Sequence, residues 1–596
     1  GANQRPLVAV LASGDLRPNT VTSSQAILNL SSSQSVPISR LRCGTSHHSP
    51  LNTCLSSDEL PGKTTIMDLL HLKTWQTLVP FAVAYVAIAT VVAWIVHLLE
   101  PAVSASLSPK YEPYRWVKGK RGLLQFFSVA YDCVFNAGGL FVIAYDKIRN
   151  TANEVFLMPF PHSNTGFMLL LPLELIAEYA RQPESVVSFN KYVRDVMHPK
   201  YSLFGENVLD NNTQKPIVYR ELFQKLPDKM GMMNEELVGA LDAVLHPLLD
   251  ENGEMSINMW DTATKFLSRT SNRIIVGYPL CRNQEYLDAT VHYAVNMFSL
   301  AVYMRFIPPF LQPLLAPLVQ RPLKRDRDIV AKHAVPIIEE RMKILEEAEK
   351  NGVEPNLPND LLSAAIKVAR KDPNRAVEYE PMMLVNRILA FNFLQSYSNT
   401  LTLTNSVYDL ISLPQDLFDE TVADMRNEIN TQLQNQEGWT HDFVNSLEIM
   451  DSFIRESLRA NPIGEVGLER TIMHKDGFTF SNGLHVPKGA TLAVPLKAIQ
   501  QDANNYPGGF NPKRALQDPS HPKITTISPD FLNFGLGRPA CPGRWFASNL
   551  QKLALSHLLL EYDFVRIEKR PPGVRKVTLV EPCGRSRIVL RKRKAV

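Results

Sequence analysis

The stretch that decides the fold runs from Phe531 to Ala547 and reads FLNFGLGRPACPGRWFA. Gly535 and Gly537 permit a positive φ or a close approach of the backbone to a flat ligand. Apolar residues return at helical spacing after this glycine-rich turn, which predicts a helix entering the core. Cys541 therefore precedes a helix N-terminus, where free N–H groups and the helix dipole favour a thiolate over a thiol. The alternative is a glycine-rich turn with an incidental buried cysteine.

The spacing of this passage, F-G-x-G-R-x-x-C-P-G-R-x-F-A, resembles the heme-binding signature of the cytochrome P-450 superfamily. The resemblance implies that Cys541 is the axial ligand of a heme b iron, where a thiolate promotes cleavage of the O–O bond. It also implies that Phe534 shields the sulfur and that Arg538 meets a heme propionate. The cofactor-binding residues implied in this way are Phe534, Gly535, Gly537, Arg538 and Gly543.

One position departs from the signature. Pro539 stands where the superfamily usually carries an Arg or His that faces a propionate. We therefore expect either a weaker hold on the cofactor or another residue that supplies the contact.

A charged pair upstream of the cysteine, Glu456 and Arg459, is spaced i and i+3 and so lies on one face of a predicted helix. Alone, such a pair is usually a solvated salt bridge that contributes little. Its order relative to the cysteine loop resembles the E-x-x-R helix of the superfamily. The segment from Tyr506 to Arg514 resembles the meander that brings a second arginine to the same carboxylate. The resemblance thus predicts a structural network of Glu456, Arg459 and Arg514.

A long helical stretch begins at Pro381 and is predicted to run to about Leu413. It carries no charged residue between Arg387 and Asp409, which indicates a helix buried in the middle of the domain. Neutral polar residues form one stripe along it, and we expect them to bond to neighbouring backbone or water: Gln395, Asn399, Thr402 and Ser406.

This stretch also resembles the distal helix of fungal members, with the usual Ala/Gly-Gly-x-acid-Thr segment falling on residues 394–398. Gln395 replaces the glycine, Tyr397 stands where an acid is common, and Ser398 takes the place of the threonine. In the superfamily an acid and an alcohol relay protons during oxygen activation, so Ser398 and Tyr397 are the predicted catalytic residues. Ser398 keeps a hydroxyl donor, whereas a tyrosine with a pKa of about 10 relays protons poorly in place of a carboxylate.

A 22-residue stretch without charged side chains, Leu78–Leu99, is long enough to span a bilayer as a helix. The segment after it is more basic than the segment before it, so the positive-inside rule places the rest of the chain in the cytosol. We therefore predict a single-pass anchor in the endoplasmic reticulum membrane. A cleaved signal peptide is the alternative.

The regions on either side of the anchor differ in composition. Residues 1–66 are rich in Ser, Thr, Asn and Pro, and are expected to be a disordered leader or an artefact of the gene model. Residues 100–150 are expected to form a membrane-proximal linker with an amphipathic helix over Gly122–Tyr145. Residues 151–596 are expected to form one large heme-thiolate domain, mainly α with a small β region.

The bulk composition limits the classes of partner. The net charge is only +4, and no basic run is interleaved with aromatic residues, so nucleic acid is not an expected partner. Six scattered cysteines without a CxxC pair suit a reducing compartment. The chain carries no flavin or NADPH fingerprint, so we expect electrons from a separate NADPH-dependent flavoprotein reductase.

Two functions remain open at this point. The first is a monooxygenase that oxidises a bulky apolar secondary metabolite with O2. A terpenoid-type substrate is implied by the resemblance to fungal members near the gibberellin, indole-diterpene and ent-kaurene oxidases. The second is an atypical heme-thiolate protein that catalyses a rearrangement, dehydration or ring closure, or that binds heme without turnover.

Overall fold

The computed structural model describes residues 66–594, apart from 152–153, 162, 164 and 212. The chain divides into a first unit of residues 1–80 and a second of residues 81–596. The described part of the first unit, residues 66–80, is helical. The segment expected to be a leader lies outside the described residues except for Ile66, which begins the first helix.

Helices dominate the described chain, and their bounds follow in chain order. They are α1 (Ile66–Leu107), α2 (Leu123–Phe135), α3 (Ala137–Asn150), α4 (Leu173–Ala180), α5 (Phe189–Met197), α6 (Pro199–Ser202), α7 (Asn207–Asp210), α8 (Gln214–Tyr219), α9 (Met230–Leu245), α10 (Met259–Ile275), α11 (Gln284–Arg305), α12 (Gln312–Val319), α13 (Arg321–Asn351), α14 (Leu361–Arg370), α15 (Arg375–Glu378), α16 (Pro381–Ile411), α17 (Gln415–Asn435), α18 (His441–Ser446), α19 (Glu448–Ala460), α20 (Leu496–Gln500), α21 (Arg514–Gln517) and α22 (Arg544–Glu561).

The strands are short and form small sheets. They are β1 (Arg115–Trp116), β2 (Phe156–Pro159), β3 (Phe167–Leu170), β4 (Val187–Ser188), β5 (Glu254–Asn258), β6 (Gly467–Ile472), β7 (Phe478–Thr479), β8 (His485–Val486), β9 (Thr491–Val494), β10 (Tyr562–Phe564), β11 (Val574–Lys576), β12 (Leu579–Glu581) and β13 (Arg587–Lys592). The largest sheet has the order β1-β2-β3-β9-β6-β4, a second has the order β10-β13-β5, and β7-β8 and β11-β12 are two-stranded. The expectation of a mainly α fold with a small β region is confirmed.

Helix α16 is the centre of the second unit. It packs against α10, α11, α13, α19 and α22, so it has helical neighbours on several sides. Pro381 occupies its first turn, where a missing N–H costs nothing. Its apolar side chains are buried on more than one face, with Leu384, Leu389 and Val407 fully inaccessible. The buried helix predicted from Pro381 to about Leu413 is therefore present, with its end at Ile411.

The apolar part of α1 within the second unit, Val83–Leu107, is long and hydrophobic enough to cross a membrane. Its most apolar window is not buried by the protein, whereas Ala102 and Ala105 near its end are buried. The amphipathic helix expected over Gly122–Tyr145 is instead two helices, α2 and α3, which meet at an angle of 117°. Helix α3 buries Leu140 and Phe141 in a core cluster. Helix α2 leaves Leu124 and Phe135 largely exposed, at 89% and 70%.

Candidate active site

The cysteine loop is a tight structure closed by its own backbone. The N–H of Cys541 donates to the carbonyl of Phe534 at 2.8 Å, and the N–H of Ala540 donates to that of Gly537 at 3.1 Å. Helix α22 starts three residues after the cysteine. The side chain of Arg544 turns back and donates to the carbonyl of Cys541 at 2.7 Å. The loop therefore holds the thiol at the entrance of a long core helix.

The electrostatics of Cys541 combine two opposing effects. Burial raises the pKa of its thiol, while hydrogen bonds from the N–H groups of Gly543 and Arg544 and the charge of Arg544 act to lower it. The residue as a whole is only partly buried. The N–H groups aimed at the sulfur match the expectation from the helix N-terminus.

The three glycines of the loop differ in how much space surrounds them. Gly537 has a φ of +76°, and a Cβ on it would lie 2.0 Å from the carbonyl oxygen of Ala180 in α4. Gly535 has a φ of +71°, but the nearest atom to a Cβ there is at 3.7 Å, an ordinary contact. At Gly543 a Cβ would lie 4.0 Å from the sulfur of Cys541. Gly537 is thus required by the packing of the loop on α4.

The structure brings together the three charged residues of the predicted network, Glu456, Arg459 and Arg514. Both carboxylate oxygens of Glu456 accept from Arg459, at 2.7 and 2.8 Å, and also from Arg514, at 3.0 and 3.3 Å. The N–H of Asn511 adds a bond of 2.8 Å. Glu456 is 2% exposed. Burial would raise the pKa of Glu456, but the two arginines and the Asn511 N–H hold it below its ordinary value.

Polar contacts tie this network and α22 to the central helix. Asp409 of α16 accepts from Ser457 at 2.6 Å and from Asn461 at 2.8 Å, which joins α16 to α19. Gln551 of α22 donates to the carbonyl of Asn399 at 3.0 Å. Asn399 directly follows Ser398, so the helix that leads away from the cysteine is bonded next to the predicted catalytic serine.

The segment 394–398 opens onto a gap in the packing of α16. Leu394 is 63% exposed, although buried residues precede and follow it along the helix. Ser398 lies one turn later on the same face, and its hydroxyl donates to the Leu394 carbonyl at 3.2 Å. Aromatic rings flank the gap, with Phe298 packed on Phe393 at 5.0 Å between ring centroids. The gap therefore presents one alcohol among apolar side chains.

The hydrogen-bond partner of Tyr397 lies outside α16. Its hydroxyl donates to Glu581 of β12 at 2.9 Å. Burial first, and the charge of Glu581 second, raise the pKa of Tyr397 well above its ordinary value, so the phenol stays protonated. Its ring packs against Trp260 and Phe298. Glu581 lies far away in the sequence, which is why the pattern of α16 alone did not reveal this carboxylate.

Comparison with known proteins decides the family. The family model for cytochrome P-450 matches residues 162–582. Cytochrome P-450 monooxygenase 151 of Postia placenta is 31% identical over 69% of this chain and 81% of its own length. Cytochrome P-450 monooxygenase gloP of Glarea lozoyensis is 30% identical over 72% of this chain and 82% of its own length. The chain belongs to the cytochrome P-450 family. It is an oxidoreductase of the monooxygenase type, with heme as its cofactor.

The residues around Cys541 fit the heme of a cytochrome P-450. A thiolate is the donor that this family places on the iron, and Cys541 offers that donor with N–H groups directed at its sulfur. Two other thiols are different in kind: burial raises the pKa of Cys133 to about 12, and burial together with the charge of Glu236 raises that of Cys281 to about 11. Cys541 is the buried thiol with N–H donors aimed at it in the described part of the chain.

Two cations near the loop have the charge needed to pair with the carboxylates of a heme. The ammonium of Lys215 donates to the carbonyl of Arg538 at 2.6 Å. Arg470 is 4% exposed and donates to the carbonyl of Glu469 at 3.0 Å. Burial lowers the pKa of each, and the charge of Arg470 further lowers the pKa of Lys215. Among residues 66–594 as described, neither cation has a carboxylate within 4.0 Å. They are candidates for the contact that Pro539 cannot make.

Arg538 itself is exposed, and its side chain makes no ion pair with any described residue. Sequence reasoning placed the propionate contact on Arg538 and did not find Lys215 or Arg470. Lys215 lies in a short helix without a distinctive pattern. Arg470 is brought to the loop by the pairing of β6 with β9, which the sequence does not specify.

Proposed function

We propose that the chain is a membrane-anchored heme-thiolate monooxygenase in which Cys541 is the axial ligand. The observation that carries this proposal is the position of Cys541, a desolvated thiol with the N–H groups of Gly543 and Arg544 directed at it. Phe534, Gly535, Gly537 and Gly543 shape the loop around it. Lys215, Arg470 and Arg538 are proposed to hold the heme carboxylates. Heme supplies the oxygen chemistry when it is bound, and the residues described here position it.

Proton delivery is proposed to use Ser398, with Tyr397 and Glu581 as a second hydrogen-bonded pair. Ser398 keeps an alcohol on the face of α16 that opens onto the gap, while its bond to Leu394 is long enough to exchange for water. The Tyr397–Glu581 pair supplies the carboxylate that segment 394–398 lacks. This arrangement favours the monooxygenase over a heme-thiolate protein that rearranges or dehydrates its substrate.

The substrate is proposed to be a bulky apolar secondary metabolite, of terpenoid type. Support comes from the lining of the gap, where Leu394, Phe298 and Phe393 present apolar surface. Electrons are proposed to come from a separate NADPH-dependent flavoprotein reductase. The anchor over Val83–Leu107 is proposed to hold the enzyme in the endoplasmic reticulum membrane with the catalytic domain in the cytosol.

The test compares Ser398→Ala with Ser412→Ala, since Ser412 makes a similar bond to an i−4 carbonyl at the end of the same helix. Each variant is reconstituted with a reductase and a substrate found by metabolite comparison of expressing and control cells. We expect Ser398→Ala to lower the product formed per NADPH by about tenfold or more and to raise hydrogen peroxide release. Ser412→Ala should keep the wild-type ratio. Unchanged coupling in Ser398→Ala would support the rearrangement or dehydration chemistry instead.

A further inference from the structure

A cavity of about 440 Å³ lies just after the apolar helix, outside the active site. Its lining includes three cations, Arg115, Arg121 and Lys147, and a single carboxylate, Glu112. Trp116 also contributes to the wall. The cations come from β1, the loop after it and α3, so the fold gathers them from separate places in the chain.

Two N–H donors at this cavity lack an acceptor. The indole Nε1 of Trp116 and the guanidinium Nε of Arg121 are buried and make no hydrogen bond to any described residue. Trp116 is only 5% exposed. Buried donors are almost always satisfied in folded proteins, so these two lining side chains hold unused hydrogen-bonding capacity.

The positive charge of the lining is only partly neutralised. Arg115 pairs with Glu154 at 3.0 Å, but both side chains are well exposed, at 67% and 37%. Arg121 donates its Nη2 to the carbonyl of Ser108 at 2.6 Å and so meets no carboxylate there. Lys147 has no acidic group within 4.0 Å in the described part of the chain. The cavity therefore suits an anion with several acceptor oxygens.

The position of the cavity indicates where that anion comes from. Ser108, which holds Arg121, follows directly on the membrane-compatible stretch Val83–Leu107. We propose that the cavity binds a phosphate ester, that of a phospholipid headgroup at the membrane face. This proposal rests on the membrane anchoring proposed above. Inorganic phosphate shares the same chemistry and is the other source that the experiment must separate.

The experiment uses the full chain in detergent micelles and measures bound ligand by native mass spectrometry. The probes are phosphatidic acid, diacylglycerol with the same acyl chains, and inorganic phosphate as a competitor. Arg121→Gln with Lys147→Gln is expected to weaken phosphatidic acid binding roughly twenty-five-fold, at roughly fivefold for each cation lost. Lys147→Gln alone should weaken phosphatidic acid binding roughly fivefold. This substitution removes no ion pair seen among the described residues.

The matched control is Lys350→Gln with Lys569→Gln, which removes the same charge from two exposed positions away from the cavity. It should bind phosphatidic acid as the wild type does. Phosphatidic acid bound equally by all variants, or diacylglycerol bound as well as phosphatidic acid, would overturn the proposal. Displacement by an equal concentration of inorganic phosphate, with the same dependence on Lys147, would assign the site to free phosphate. Alkaline extraction from membranes tests the anchor separately, so the two failures are distinguishable.

Discussion

At the scale of single residues, Glu456 is the carboxylate that pairs with both Arg459 and Arg514. It neutralises two guanidinium groups that would otherwise be desolvated and unpaired. Removing one member of a buried ion network leaves uncompensated charge, which costs more than the pair contributes. The network is therefore structural, and its failure should show in folding before it shows in chemistry.

We expect Glu456→Gln to lower the free energy of unfolding by about 3–5 kcal/mol and to yield little heme-loaded protein. The measurement is denaturant unfolding together with heme content. Glu420→Gln is the control, because Glu420 is 55% exposed where it pairs with Lys513 and should cost less than about 1 kcal/mol. Normal heme content in Glu456→Gln would contradict the role given to the network.

The same carboxylate predicts a dependence on pH. The pKa of Glu456 lies below its ordinary value of 4.5 in the folded chain. Its contribution is therefore fully present above about pH 4.5 and is lost as the pH falls through the lower folded-state value. The difference in unfolding free energy between wild type and Glu456→Gln should be constant near neutral pH and shrink below about pH 4. A difference that grows on acidification would contradict this sign.

At the scale of elements, the loop before α22 packs closely on α4 at Gly537. Gly537→Ala places a methyl group against the Ala180 carbonyl, whereas Gly508→Ala meets only open space at a similar φ of +79°. We expect Gly508→Ala to lower the free energy of unfolding by about 1–2 kcal/mol from backbone strain alone. Gly537→Ala should cost about 1–3 kcal/mol more, because α4 or the loop must move. Equal midpoints in thermal unfolding of the two variants would show that the contact with α4 is dispensable.

Elements differ in how far the sequence predicted them. Helix α16 was predicted from its long uncharged run, because burial on several faces leaves that mark on the sequence. The pairing of Glu456 with Arg514 followed from the order of motifs. Glu581 and Arg470 could not be predicted in this way, because strand pairing brings them to Tyr397 and to the cysteine loop. Local patterns record burial and turns, but they do not record which distant strand lies beside them.

At the scale of the whole molecule, the apolar helix predicts a protein that stays in the membrane. The stretch Val83–Leu107 has a mean hydropathy of 2.0, and most of its apolar side chains are exposed rather than covered by the protein. We expect the full chain to remain in the membrane pellet after alkaline carbonate extraction, since a spanning helix is not released by loss of surface charge. In sealed microsomes, added protease should digest the catalytic domain. Release by carbonate, or protection from protease, would contradict the proposed anchor or its orientation.

The central claim is that Cys541 holds the heme iron, and the absorption spectrum of the reduced, CO-bound protein tests it most directly. The wild type and Cys133→Ser, which removes a different buried thiol, should both show a thiolate-type Soret band. Cys541→Ser should lack that band. A thiolate-type band that persists in Cys541→Ser would contradict the assignment.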